Sequence, residues 1–138
     1  MDPEVGGERL PILVETDRAY YIGPDNGLLS LAVDRQRLIR VIHLSNPEYH
    51  LRPTSRTFHG RDVFAPTAAY ISAGVSTDRL GNIVEAFKEL SIPAPDKKGN
   101  GCITGEVIYV DGFGNLITNF TLTGSDSFFI RVTMTKVR

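Results

Sequence analysis

Hydrophobic and polar positions change period several times along this chain. Residues 2–9 are loop by content, with one proline, two adjacent glycines and four charges. Ile12-Leu13-Val14 and Ala19-Tyr20-Tyr21-Ile22 are short apolar runs parted by Thr16-Asp17-Arg18, which predicts two strands and a turn. Gly23-Pro24-Asp25-Asn26-Gly27 is a second turn, rich in residues that accept positive φ. Residues 28–33 are apolar but too short a run to assign by period, with helix favoured; residues 39–44 alternate and read as a strand. Residues 46–56 hold two prolines and few apolar positions, the composition of a surface loop.

That loop runs into Thr57-Phe58-His59-Gly60-Arg61-Asp62-Val63-Phe64-Ala65-Pro66, a polar knot between apolar stretches. Pro66 suits a first helical turn, residues 67–73 are small and apolar, and Gly74 is placed to end the helix. His59 is thus expected in the loop before a helix N-terminus, where ligands bind in open α/β sheets. From these residues alone, a loop histidine bonded to nearby backbone is the commoner arrangement. Further on, Asp78 is a candidate cap for a second helix, with Leu80, Ile83, Val84, Phe87 and Leu90 as its core-packing stripe, weakened by Gly81.

Residues 91–101 carry two prolines, two lysines and two glycines and read as a linker. Beyond it, residues 103–110 predict a strand, Asp111-Gly112-Phe113-Gly114-Asn115 a tight turn and residues 116–120 a second strand. Residues 128–132 are a candidate third. The expected fold class is α/β. Residues 1–91 form part of an open α/β sheet domain, 92–101 a linker, and 102–138 the start of a small antiparallel β-barrel domain.

Composition narrows the function. The chain has 138 residues and a net charge of −1, so nothing in its charge asks for nucleic acid. The arginines between positions 35 and 61 are interleaved with Asp34, Glu48 and Asp62, the pattern of a solvated face. A single cysteine, Cys102, excludes an internal disulfide and a cysteine-based metal cluster. Met1-Asp2-Pro3-Glu4 is no signal peptide, and no apolar run is long enough to span a bilayer. The expectation is a soluble, cytoplasmic protein with no membrane partner and no bound metal.

Four segments occur in a telling order: Asp2-Pro3 through Val5-Gly6-Gly7-Glu8-Arg9; Gly23-Pro24-Asp25-Asn26-Gly27-Leu28-Leu29; Phe58-His59-Gly60-Arg61-Asp62; and Asp111-Gly112-Phe113-Gly114-Asn115-Leu116. Together they resemble the S-adenosyl-L-methionine (SAM) hydroxide adenosyltransferases, or SAM hydrolases, relatives of the SAM-dependent fluorinase and chlorinase. The resemblance spans residues 2–119. It departs at Glu4, where the family usually has glycine, and at Gly112, where it usually has arginine.

The resemblance implies attack of water on the ribose C5′ of SAM, giving adenosine and methionine, with SAM as substrate and no further cofactor. Matched by position, the catalytic set is Asp2, Arg9 and His59, with either Asp2 or His59 as proton acceptor. At the hairpin tip it implies Phe113 for adenine stacking, Asn115 for the adenine edge and Asp111 for the methionine ammonium. It also implies a homotrimer with the site between subunits. Gly60 offers no hydroxyl for a halide, which favours the water-using branch over a halogenating one. Family segments before position 1 and after about 121 have no counterpart here. The chain therefore reads as a central portion of a longer enzyme, with a catalytically inactive adenosine-binding or subunit-interaction remnant as the alternative.

Overall fold

The computed structural model describes residues 7–98, 102–120 and 129–133. The chain divides into two units, residues 1–90 and 91–138.

The first unit is built on a sheet of β1 (Pro11–Thr16), β2 (Tyr20–Pro24), β3 (Leu38–His43) and β4 (Asn82–Val84) in the order β2-β1-β3-β4, all antiparallel. Ile12, Leu13 and Val14 are wholly buried because β1 is an interior strand covered on both faces, which an unbroken apolar run suits. Leu13 turns to a cluster with Ile42, Leu44, Tyr49, Val63 and Leu80, against which Ile71 of α2 (Ala65–Ser72) packs. Ile12 and Val14 turn the other way, to Val41, with Leu29 of α1 (Leu28–Ala32) and Phe87 packed over them. Alternation along a strand sends neighbours to opposite faces, so one apolar triplet serves two cores.

β1, β2 and β3, their turns and α1 fall where hydrophobic patterning places them. Gly74 also ends α2 as expected, at φ +89°, with Gly74 N–H donating to the Ile71 carbonyl and Val75 N–H to that of Tyr70. This is the Schellman arrangement that satisfies the last carbonyls of a helix.

The second helix does not form. Thr77–Arg79 is one 3-10 turn, and of the positions assigned to a helical stripe Ile83 and Val84 fall in β4, with Ile83 opposite Ile42 and 66% exposed at the sheet edge. Asp78 is no cap; it pairs with the Arg40 guanidinium, which also donates to Glu15 (2.7 Å) and to Thr77 Oγ1 (2.6 Å). An open edge on β3 and two β-branched residues outweigh a period already interrupted by glycine. Gly81 sets the approach: a Cβ there would lie 1.9 Å from the His43 carbonyl oxygen.

In the second unit β6 (Cys102–Val110) is the spine. It pairs with β5 (Asp96–Lys98), a short strand inside the stretch read as linker, and with β7 (Leu116–Thr118), both antiparallel. It also pairs with β8 (Phe129–Thr133) in parallel. Among the described residues this sheet is open.

Two glycine substitutions separate the two constraints. Gly74→Ala meets open space and is expected to cost only the roughly 1–2 kcal/mol of an alanine in left-handed backbone. Gly81→Ala must also push back the His43 carbonyl, so its urea midpoint should fall further below the parent's than that of Gly74→Ala.

Candidate functional site

The His59 turn starts earlier than Pro66 suggests. Gly60–Phe64 forms a π-helical turn, with His59 already in right-handed helical backbone as its capping residue, so His59 lies on the helix rather than in a loop before it. Pro66, second residue of α2, accounts for the difference. It has no N–H for the Asp62 carbonyl four residues back, and its ring would crowd that carbonyl in a regular helix. The widened turn instead closes from Ala65 N–H to Gly60 C=O, and the freed Asp62 carbonyl accepts Leu51 N–H at 2.8 Å. Such π turns often sit at functional sites, where they re-aim side chains. The strands being antiparallel, the rule placing ligands at the carboxyl ends of parallel strands does not locate this site.

Asp62 closes the other side. Its carboxylate, 1% exposed, accepts Ser55 N–H at 2.7 Å and the Arg61 guanidinium at 2.6 and 3.0 Å. Arg61, then Ser55 N–H, hold its pKa down at about 2 against an ordinary 3.8. Arg61 also lies 5.1 Å over the ring of the exposed Phe58.

Arg9 and His59, distant in sequence, come together. Burial first, and then the Arg9 charge, lower the His59 pKa from 6.5, while Asp62 acts to raise it. Burial lowers the pKa of Arg9. The imidazole meets the Phe64 ring edge-on, 6.4 Å between centroids, and its Nδ1 is buried without a hydrogen-bond partner among the described residues. The arrangement favours a neutral imidazole with lone-pair capacity beside a permanent cation. Asp2, the third member of the expected set, lies outside the described residues.

His50 belongs to the same neighbourhood. Burial, His59 and His43, in that order, lower its pKa. Nothing in the sequence marks His50, because its loop carries no periodicity; Asp62 stands in the quoted motif but draws no role there. Among the described residues no group of three or more His, Cys, Asp or Glu side chains could hold a metal ion. On the opposite face of the sheet, Leu31, Leu38, Phe87 and Leu90 help line a cleft of about 340 Å³ that contains none of the expected site residues.

The hairpin tip carries the other three candidates. Asp111 Oδ1 accepts the N–H groups of Phe113 (2.9 Å) and Asn115 (2.8 Å), and Oδ2 accepts Asn115 Nδ2 (2.8 Å). The Asn115 side chain and then its backbone N–H lower the Asp111 pKa. Asp111 and Asn115 are therefore engaged with each other, while Phe113 is 95% exposed.

Residues 1–81 match the family model for the SAM hydroxide adenosyltransferase N-terminal domain. The chain belongs to that family. It is similar to the (R)-S-adenosyl-L-methionine hydrolases of Methanocaldococcus jannaschii (38% identity over 86% of this chain and 40% of the relative) and Salinispora arenicola (38% over 84% and 45%). A fluorinase from Actinoplanes sp. is 28% identical over 75% of this chain and 36% of its own. The crystal structure of an uncharacterized conserved protein from Thermotoga maritima aligns with a TM-score of 0.72 and 34% identity, over 86% of this chain and 45% of that one. The chain thus spans less than half the length of these relatives. Among its described residues no helix is long and apolar enough to cross a membrane.

An NMR titration of His59 is expected to show a midpoint below 6.5. Because the fold disfavours the imidazolium, the stability contributed by this site is intact above 6.5 and declines as pH falls from there through the folded midpoint. A midpoint at or above 6.5 would overturn the account in which burial and Arg9 together outweigh Asp62.

Proposed function

We propose that this chain supplies the nucleophile-activating part of a SAM hydrolase site. The observation that carries the reading is Arg9 near a half-buried His59 whose neutral form is favoured. In the proposed reaction a water oxygen bonds to C5′ as the C5′–sulfonium bond breaks, and its electron pair passes to the sulfur of the departing methionine. One water proton stays on the new 5′-hydroxyl of adenosine, and the other goes to Asp2 or His59. Arg9 is not the base, since a guanidinium stays protonated; it stabilises the hydroxide-like oxygen or orients the carboxylate. His59 suits proton acceptance because it is neutral before the step.

Phe113 would stack on adenine, with the remaining capacity of Asn115 and Asp111 turned to the adenine edge and the methionine ammonium. The family's assembly puts such a hairpin against the N-terminal domain of a neighbour, so a homotrimer with the site between subunits completes the proposal. A halogenating reading is weaker: the space at Gly60 is open and no hydroxyl stands there to donate to a halide. The second reading retained is an inactive remnant that binds adenosine or a partner subunit.

Incubating the chain with SAM and separating the products by chromatography distinguishes these. Equimolar adenosine and methionine are the expected result. In that case His59→Ala should slow adenosine release by roughly 10²–10⁴-fold, the usual cost of losing a positioned proton acceptor. Saturable adenosine binding without turnover would support the remnant, and neither would end both readings.

Association is tested separately. Light scattering at several concentrations should show assembly through residues 103–120, weakened by Phe113→Ser. A monodisperse monomer at high concentration would rule out assembly through the hairpin.

A further inference from the structure

We propose that Asp62 is a positioning residue for His59: it fastens the segment that carries the imidazole and keeps one negative charge near it to oppose Arg9. Its role as an aid to catalysis rests on His59 being the proton acceptor; its effect on His59 does not.

Geometry carries the first half. Asp62 is the sole buried charged side chain among the described residues. Its backbone N–H donates to Phe58 C=O (2.9 Å) and its C=O accepts Leu51 N–H (2.8 Å). Its carboxylate accepts Ser55 N–H (2.7 Å) and two bonds from Arg61. Positions 51, 55, 58 and 61 thus converge on one residue, and His59 lies in the segment they fasten. The fastening comes from both ends of the sequence: Pro66 frees the carbonyl, and Asp62 supplies the carboxylate.

Charge carries the second half. A carboxylate this buried is costly unless paired and hydrogen-bonded, and Arg61 meets that need from the solvent side, its own side chain 63% exposed. The charged groups bearing on His59 are Arg9 ahead of β1 and Asp62 in the π turn; His50 in the preceding loop is itself affected by His59, and Arg61 pairs with Asp62. When His59 gains a proton, Arg9 opposes the new charge and Asp62 favours it, and Arg61, paired with Asp62, offsets part of that carboxylate's pull. Asp62 therefore offsets part of what burial and Arg9 impose on the imidazole.

The test reads the His59 midpoint by NMR in the full chain, with the resonance assigned by its loss in His59→Gln. Asp62→Asn keeps the shape and an acceptor for Ser55 N–H but removes the charge, so the His59 midpoint should move down. Arg61→Gln removes the opposing cation and leaves the carboxylate, so the midpoint should move up. Opposite shifts support the proposal; shifts of one sign, or none, overturn it. Should Asp62→Asn not fold, the solvent-exposed Arg61 variant decides alone: an upward shift supports, and no shift overturns. Because titration is read rather than turnover, a chain that leaves SAM intact would defeat the catalytic reading and leave this result standing. Where turnover is present, Asp62→Asn should lower kcat more than it changes KM and move the acidic limb of the pH profile in step with the His59 midpoint. A change in KM alone would leave no role for Asp62 in the proton step.

Discussion

The register of β1 is the constraint on which the rest depends. Its three central residues are all apolar and all buried, so hydrophobicity does not distinguish this register from one shifted by a residue. The polar ends do. Leu44 N–H bonds to the Pro11 carbonyl at the start, and Glu15 meets Arg40 at the finish. Thr16 adds a turn lock by accepting Ala19 N–H at 3.0 Å. A one-residue slip would displace everything before β1 by about 3.4 Å. Arg9, two residues upstream, would leave His59 by that distance. The Glu15–Arg40–Thr77 network at the far end of the strand thus bears on a site it does not touch.

The second fixed point is made by a missing donor. Pro66 would be a defect inside a regular helix, yet here its absent N–H releases the Asp62 carbonyl to hold Leu51. The cost is one widened turn, and the return is a loop, residues 51–58, that is tied at several places without secondary structure of its own. His59 therefore combines a helical backbone with a framed, half-buried ring. Such over-determination is what lets a small side chain keep one orientation beside a repelling cation.

Much of this was legible in the residues. The three main strands, the turns and the end of α2 follow from patterning and turn chemistry, which act over a few positions. Four motifs in order were enough for the family. What failed was the stretch after Asp78, because helical spacing of Leu80, Ile83, Val84 and Phe87 is a weak local preference set against a strand edge contributed by β3. The start of the π turn was missed for a related reason. Pro66 signals a first turn in most helices, and only the partner for the Asp62 carbonyl shows that the helix begins before it. His50 and Asp62 escaped notice because their significance is spatial: each matters through what sits beside His59.

The hairpin tip shows how far a ligand-binding reading can be pressed on side-chain grounds. Three polar bonds inside the turn use most of the Asp111 carboxylate and one face of the Asn115 amide. A nucleoside or an ammonium would meet only the lone pairs and the amide oxygen left over. Their first role is to make the tip rigid, which lowers the ordering cost of whatever Phe113 meets. The ring gains nothing from its own unit. Covering it, by adenine or by another chain, would return on the order of 1.5–3 kcal/mol. A stiff turn that holds an uncovered aromatic outward therefore has little order left to lose if a second surface meets it.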